Sequence, residues 1–236
     1  HGNISFILKT CISIRTFLRL IIMKLSLSIP ETLKEITLNQ YQQWLKVAEG
    51  KEMTDFLKQK MIEIFCKIPL NKVLQIKATD IDSIVIDISK LFKEDTKLID
   101  RFTISGKEFG FIPKLDDMTF GEYVDLDTYL AEWQMMHKAM NVLFRPVTLN
   151  KKQKYLIEDY EGSGKFDLKE MTLDIVFGSL VFFYNLRNEL QKHILNYLAN
   201  QTEIPVSQEL RDSLKNGAGI VASMDWQTET LEDLTK

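Results

Sequence analysis

The sequence is poor in cysteine and has no excess of positive charge. Its two cysteines, Cys11 and Cys66, are too few for a disulfide framework or a cysteine-based metal site, and the apolar neighbours of Cys66 predict burial. The 30 basic residues face 33 acidic ones, giving a formal charge of −3, so neither duplex DNA nor an anionic membrane is expected as the main partner. The longest apolar run, Ile175–Tyr184, is far shorter than the roughly 20 residues that span a bilayer.

Motifs of catalysis and cofactor binding are also missing from the sequence. It contains no nucleophile elbow, phosphate-binding loop or dinucleotide fingerprint, and its three histidines have no companions at metal-ligand spacing. Acids are dense between residues 116 and 132, but Asp116 and Asp117 most simply complement the dipole of a following helix. We therefore expect a protein that is not an enzyme and has no cofactor.

The N-terminal stretch before Met23 differs from the rest of the chain. It contains Lys9, Arg15 and Arg19 but no acid, and Met23 is the first methionine. We expect residues 1–22 to be a non-native leader translated from upstream DNA; a signal peptide and a native amphipathic strand or helix are the alternatives. Without this leader the basic count falls from 30 to 27 against 33 acids, and the charge becomes −6.

Apolar periodicity predicts a mainly α domain of the α+β class over residues 23–200. We expect a helical bundle around a central apolar helix at 172–199, whose first half is apolar on nearly all sides. A capping-box pattern, Thr119 with Glu122, predicts that one helix opens at Phe120. The remaining predicted helices start at Leu38, Glu52, Thr79 or Asp80, and Trp133.

Shorter stretches predict a small β component and a tail. Lys24–Ile29 alternates polar and apolar residues like a half-buried strand, and Arg101–Ile112 predicts a β-hairpin that turns at Gly106. The hairpin, or a short antiparallel sheet, completes the predicted domain. Residues 201–236 contain seven acids, three bases and a single aromatic, Trp226, and so predict an acidic flexible tail.

One segment has the order of a calcium-binding EF-hand loop. Residues 159–170 place oxygen donors at the ligand positions and Gly164 at the sharp turn. The alternative, which we favour, is a polar Gly-rich connection, since the entering helix would be only Lys151–Glu158 and no second loop exists to pair with it. The candidate metal ligands are Asp159, Glu161, Ser163, Lys165 through its carbonyl, Asp167 and Glu170.

Three stretches, Phe109–Asp127, His137–Pro146 and Val181–Leu186, resemble uncharacterised proteins of tailed bacteriophages, some of them similar in organisation to tail-assembly chaperones. The resemblance covers roughly residues 30–198 and carries no catalytic signature. It implies a small helical factor of the host cytoplasm that binds another phage protein, such as a structural or tape-measure component. The charge balance and the short apolar runs, not the resemblance, predict no nucleic-acid or membrane partner.

Aromatic residues beside acidic ones suggest where such a partner would bind. Aromatics are favoured as anchors at protein interfaces, although plain core positions are the alternative for each of them. A structural virion subunit, or a calcium-stabilised binding module, is the alternative function. The predicted contact residues are Phe102, Phe109, Phe111, Phe120, Tyr123 and Tyr129.

Overall fold

A computed structural model describes residues 27–151 and 154–200. This part of the chain forms seven α-helices and one four-stranded antiparallel sheet, which confirms the predicted mainly helical α+β class. The predicted leader at 1–22 and the predicted tail at 201–236 lie outside the described residues. The elements are α1 (Leu38–Ala48), α2 (Asp55–Phe65), α3 (Leu70–Val73), α4 (Ala78–Leu91), β1 (Arg101–Ile104), β2 (Lys107–Phe111), α5 (Phe120–Leu130), α6 (Met136–Leu143), β3 (Phe144–Lys151), β4 (Lys154–Ile157) and α7 (Leu173–Asn200).

Helices α1 and α2 form an antiparallel hairpin. Thr37 and Gln40 make a capping box at the start of α1, and Gly50, just past its end, has a positive φ of 66°. Thr54 caps α2 by accepting the Leu57 N–H at 3.3 Å, so α2 begins three residues later than predicted. The Gln40 side chain donates to the Ile64 carbonyl at 2.6 Å and thereby joins the start of α1 to the end of α2.

Two local predictions were wrong. Leu27–Ile29, the described part of the predicted strand, forms no strand; Leu27 and Ile29 pack against the core instead of pairing with a neighbouring chain segment. The α4 helix begins at Ala78, before either predicted start, and has no side-chain cap, because its N-cap residue is Lys77, whose side chain has no hydrogen-bond acceptor.

The predicted hairpin is confirmed as β1 and β2. Ser105 and Gly106 have φ values of 51° and 76°, the two positive angles that a tight type I′ hairpin turn requires. The sheet order is β1-β2-β3-β4, and β3 and β4 were not predicted. The helix predicted from Trp133 ends at Leu143, because Phe144 starts β3 and pairs with Phe111.

The first half of α7 lies in the core, as predicted. Phe177 packs its ring 5.5 Å from that of Tyr41, and burial raises the pKa of the Tyr41 phenol. Gly178 is required by close packing: a Cβ there would lie 2.2 Å from the backbone oxygen of Lys97.

Cys66 is buried, which raises the pKa of its thiol to about 11 and confirms its expected place in the core. Within the two described ranges, 27–151 and 154–200, no helix is both long enough and apolar enough to cross a membrane.

Candidate functional site

A buried ion pair anchors the start of α5. The Glu122 carboxylate accepts the Thr119 backbone N–H at 2.7 Å through one oxygen and the Arg145 guanidinium at 2.7 Å through the other. Only 5% of the Glu122 side chain and 11% of the Arg145 side chain are exposed. The predicted capping box is confirmed, and its glutamate also ties α5 to strand β3.

A tyrosine from the loop after β4 extends this polar cluster. Tyr160 donates its hydroxyl to the Asp125 carboxylate, and the Arg145 guanidinium lies 5.8 Å from the centre of the Tyr160 ring. Burial, followed by the hydrogen bond to Asp125, raises the pKa of Tyr160. In these contacts the Glu122 and Asp125 carboxylates accept hydrogen bonds that hold α5 in place. Both Glu122 oxygens are occupied, one by the Thr119 N–H and one by Arg145. The cluster therefore supports the neighbouring surface.

That surface is the outer side of the first turns of α5. Phe120 is 82% exposed, Tyr123 57% and Val124 42%, and these three residues form what we call the α5 face. Glu122, Leu126 and Leu130 occupy the opposite, buried side of the same helix. The side chains of the α5 face thus point to solvent, while the buried ion pair and the capping box fix the helix on its other side.

Comparison with protein-family models, with curated proteins and with solved structures gave no match.

The predicted aromatic contact residues divide into buried, half-buried and exposed pairs. The expectation that Phe109 and Phe111 are surface anchors was wrong, because they are only 3% and 4% exposed and belong to the core. Phe102 is half-buried, with its ring stacked 5.7 Å from that of Phe109, and Tyr129 is half-buried with the Lys138 ammonium 5.3 Å from its ring. Of the predicted set, the exposed members are Phe120 and Tyr123.

The structure does not form a helix-loop-helix around residues 159–170. The segment that enters the loop is strand β4, not a helix, so the first half of an EF-hand is missing. Glu161 is paired with Lys165 at 2.9 Å, and Asp167 accepts the Lys169 N–H at 3.1 Å. Ser163 is buried, whereas Asp159 and Glu170 are exposed. Within the described ranges, no three acidic, histidine or cysteine side chains come together as a metal would need.

We expect the Asp159–Glu170 loop not to bind calcium tightly, because Lys165 competes for the Glu161 carboxylate and no helix orients the first ligand. Isothermal titration with CaCl₂ measures this directly. Replacing Asp159 by Asn should leave the titration unchanged. A dissociation constant at or below about 10 μM, the range of sensor loops, that is lost in the Asp159→Asn variant would contradict this prediction and restore the calcium interpretation.

The remaining polar candidates are dispersed. His137 is half-buried with the Gln42 amide 3.4 Å from its ring nitrogen, and burial, then the positive charge of Lys169, lowers its pKa. The side chain of His193 lies outside the described residues. Asp117 is exposed beside Lys114 at 3.6 Å, as expected of a solvated acid before a helix.

Sequence reasoning missed a basic groove between α1 and α2. Lys46 on α1, with Lys60 and Lys67 on and just after α2, lines a depression of about 610 Å³. The signal was present in the spacing, because residues 60, 63, 64 and 67 fall on one side of a helix. The groove was missed because the sequence does not show which residues of α1 face α2; only the packing of the two helices does.

Proposed function

We propose that this protein is a non-enzymatic bacteriophage assembly factor, similar to tail-assembly chaperones, that binds another phage protein through the α5 face. The observation that carries the proposal is the 82% exposure of Phe120 on a helix start that is fixed by a capping box and a buried ion pair. The resemblance of the sequence to tailed-phage proteins supports the phage assignment. A structural or tape-measure protein is the partner that this resemblance implies.

The α5 face has the physical properties of a binding anchor. Aromatic side chains gain much from burial at an interface, and a rigid helix loses little conformational entropy when it binds. Tyr123 and Val124 lie one turn from Phe120, so one shallow apolar pocket on a partner can cover all three.

Replacing Phe120 or Tyr123 with Ala should weaken partner binding by about 2 kcal/mol, close to 30-fold in dissociation constant, as loss of a hot-spot aromatic does. The stability of the variants should change by less than about 0.5 kcal/mol, since both side chains are exposed. Titration of the purified partner and urea unfolding measure the two quantities. Phe56→Ala is a matched control, because Phe56 is 53% exposed on α2 and should leave binding unchanged.

Equal binding by the Phe120→Ala, Tyr123→Ala and Phe56→Ala variants would remove the α5 face as the contact surface. Co-purification from infected cells tests the broader proposal. We expect a phage structural or tape-measure protein to be retained and the factor to be absent from mature particles. A fixed copy number in purified particles would favour the alternative of a virion subunit, and the absence of any bound phage protein would overturn the assembly-factor proposal.

A further inference from the structure

The α1–α2 groove carries positive charge that the fold does not neutralise. Its walls and floor include Lys46, Val47, Lys60, Glu63, Ile64 and Lys67. Glu63 lies 2.6 Å from Lys60 and compensates that lysine. Among the side chains that the structure describes, no carboxylate forms an ion pair with Lys46 or Lys67. The C-terminal ends of α1 and α2 each contribute about half a negative charge, which leaves the groove net positive.

The groove also has a shape and floor suited to a chain segment. Gln40 faces the end of α2 through its bond to Ile64, so the two helices run antiparallel along the groove. Residues 60 and 67 are about two helical turns, or roughly 10 Å, apart. Val47 and Ile64 are half-buried between them and supply an apolar floor. An acidic segment with a few apolar side chains matches both properties.

The sequence of this chain contains such a segment. Asp225–Lys236 has four acids against one base, together with Trp226, Leu231 and Leu234. Residues 201–224 separate this segment from the end of α7 at Asn200, and a linker of that length can extend to about 80 Å. A folded domain of this size has a radius of gyration of about 15 Å, so the segment can reach any point on its own surface.

We propose that Asp225–Lys236 docks in the α1–α2 groove of its own chain, with its carboxylates near Lys46 and Lys67. Because the segment and the groove belong to one chain, docking is intramolecular and needs less intrinsic affinity than binding of a separate peptide. The groove is built from elements other than α5, and this docking goes beyond the proposed function and is independent of it. A second copy of the chain and an external acidic peptide are the competing occupants.

Zero-length carbodiimide cross-linking of the full chain, mapped by mass spectrometry, tests the docking. We expect amide links from Asp225, Glu229, Glu232 or Asp233 to Lys46 or Lys67. These links should be at least tenfold more frequent than links to Lys34 and Lys93, which are exposed outside the groove and serve as controls. About 1 M salt should reduce them to the control level, because the screening length falls to about 3 Å.

A neutralised tail gives the matched variant. Glu229→Gln, Glu232→Gln and Asp233→Asn together should lower the remaining Asp225 links to Lys46 and Lys67 at least tenfold, while a thermal melt confirms an unchanged fold. Links spread evenly over groove and control lysines would overturn the proposal. So would links that join isotopically heavy and light chains in a mixed sample, since they would identify a second copy as the occupant.

Discussion

Replacing Phe111 with Ala should lower the free energy of unfolding by about 3–5 kcal/mol, the usual cost of emptying a buried aromatic site. Phe111 is 4% exposed, and its ring lies 5.2 Å from Phe144 and 5.6 Å from Phe182. The same loss is expected for Phe109→Ala, because that ring packs against Phe102 and Phe166. Urea unfolding followed by circular dichroism measures both values.

Phe120→Ala is the matched control, since it removes the same atoms from a side chain that is 82% exposed. Its unfolding free energy should stay within about 0.5 kcal/mol of the parent protein. If Phe111→Ala instead unfolds like the parent protein and loses the partner, the hairpin aromatics would be surface anchors. That result would contradict their placement in the core.

The hairpin shows what sequence patterns determine and what they leave open. Period-two alternation placed Phe109 and Phe111 on one side of β2, but alternation does not say whether that side faces solvent or core. The answer depends on distant residues, because Phe166 packs on Phe109, and Phe144 and Phe182 pack on Phe111. Tyr155 of β4 covers the opposite side of the strand, where a Cβ on Gly110 would lie 2.5 Å from its ring.

Strands β3 and β4 were missed because polar residues and a proline hide their alternation. Val147, Leu149, Tyr155 and Ile157 alternate as strands require, yet Pro146 resembles a helix stop and the Lys151–Lys154 run resembles a solvated loop. The helix starts at Leu38 and Phe120 were predicted correctly, and both have capping boxes, which depend on neighbours only three residues away, whereas the starts of α2 and α4 were misplaced.

The candidate site was only partly predictable, because its residues are far apart along the chain. Glu122 belonged to an acid-rich stretch and gave no sign of burial, because its partner Arg145 lies on a strand that begins only at Phe144, beyond the whole of α6. The exposure of Phe120 likewise depends on which side of α5 the ion pair holds inward. Local sequence determines the helix, whereas packing against α6 and the ion pair with Arg145 of β3 determine which face is buried.

Breaking the Glu122–Arg145 pair is the second change with a large expected effect. Glu122→Gln keeps the shape of the side chain but leaves the Arg145 guanidinium buried without its counter-charge, and Arg145→Met leaves the carboxylate buried instead. Each should cost about 3–5 kcal/mol of unfolding free energy, as removal of one member of a buried pair does. Desolvation of the orphaned charge causes the loss, since only 11% of Arg145 and 5% of Glu122 are exposed.

The double variant separates this mechanism from a general loss of packing. With both charges removed, no buried charge is left unpaired, so the double variant should lose less stability than the sum of the two single variants, with a coupling of about 1–3 kcal/mol. The exposed Lys90–Asp87 pair, 69% and 60% accessible, provides a matched control, and Asp87→Asn should cost no more than about 1 kcal/mol. Strict additivity of Glu122→Gln and Arg145→Met would contradict the ion pair as the anchor of α5. A coupled loss of stability that also weakens partner binding would link the buried pair to the α5 face, because the helix that presents Phe120 would no longer be held in place.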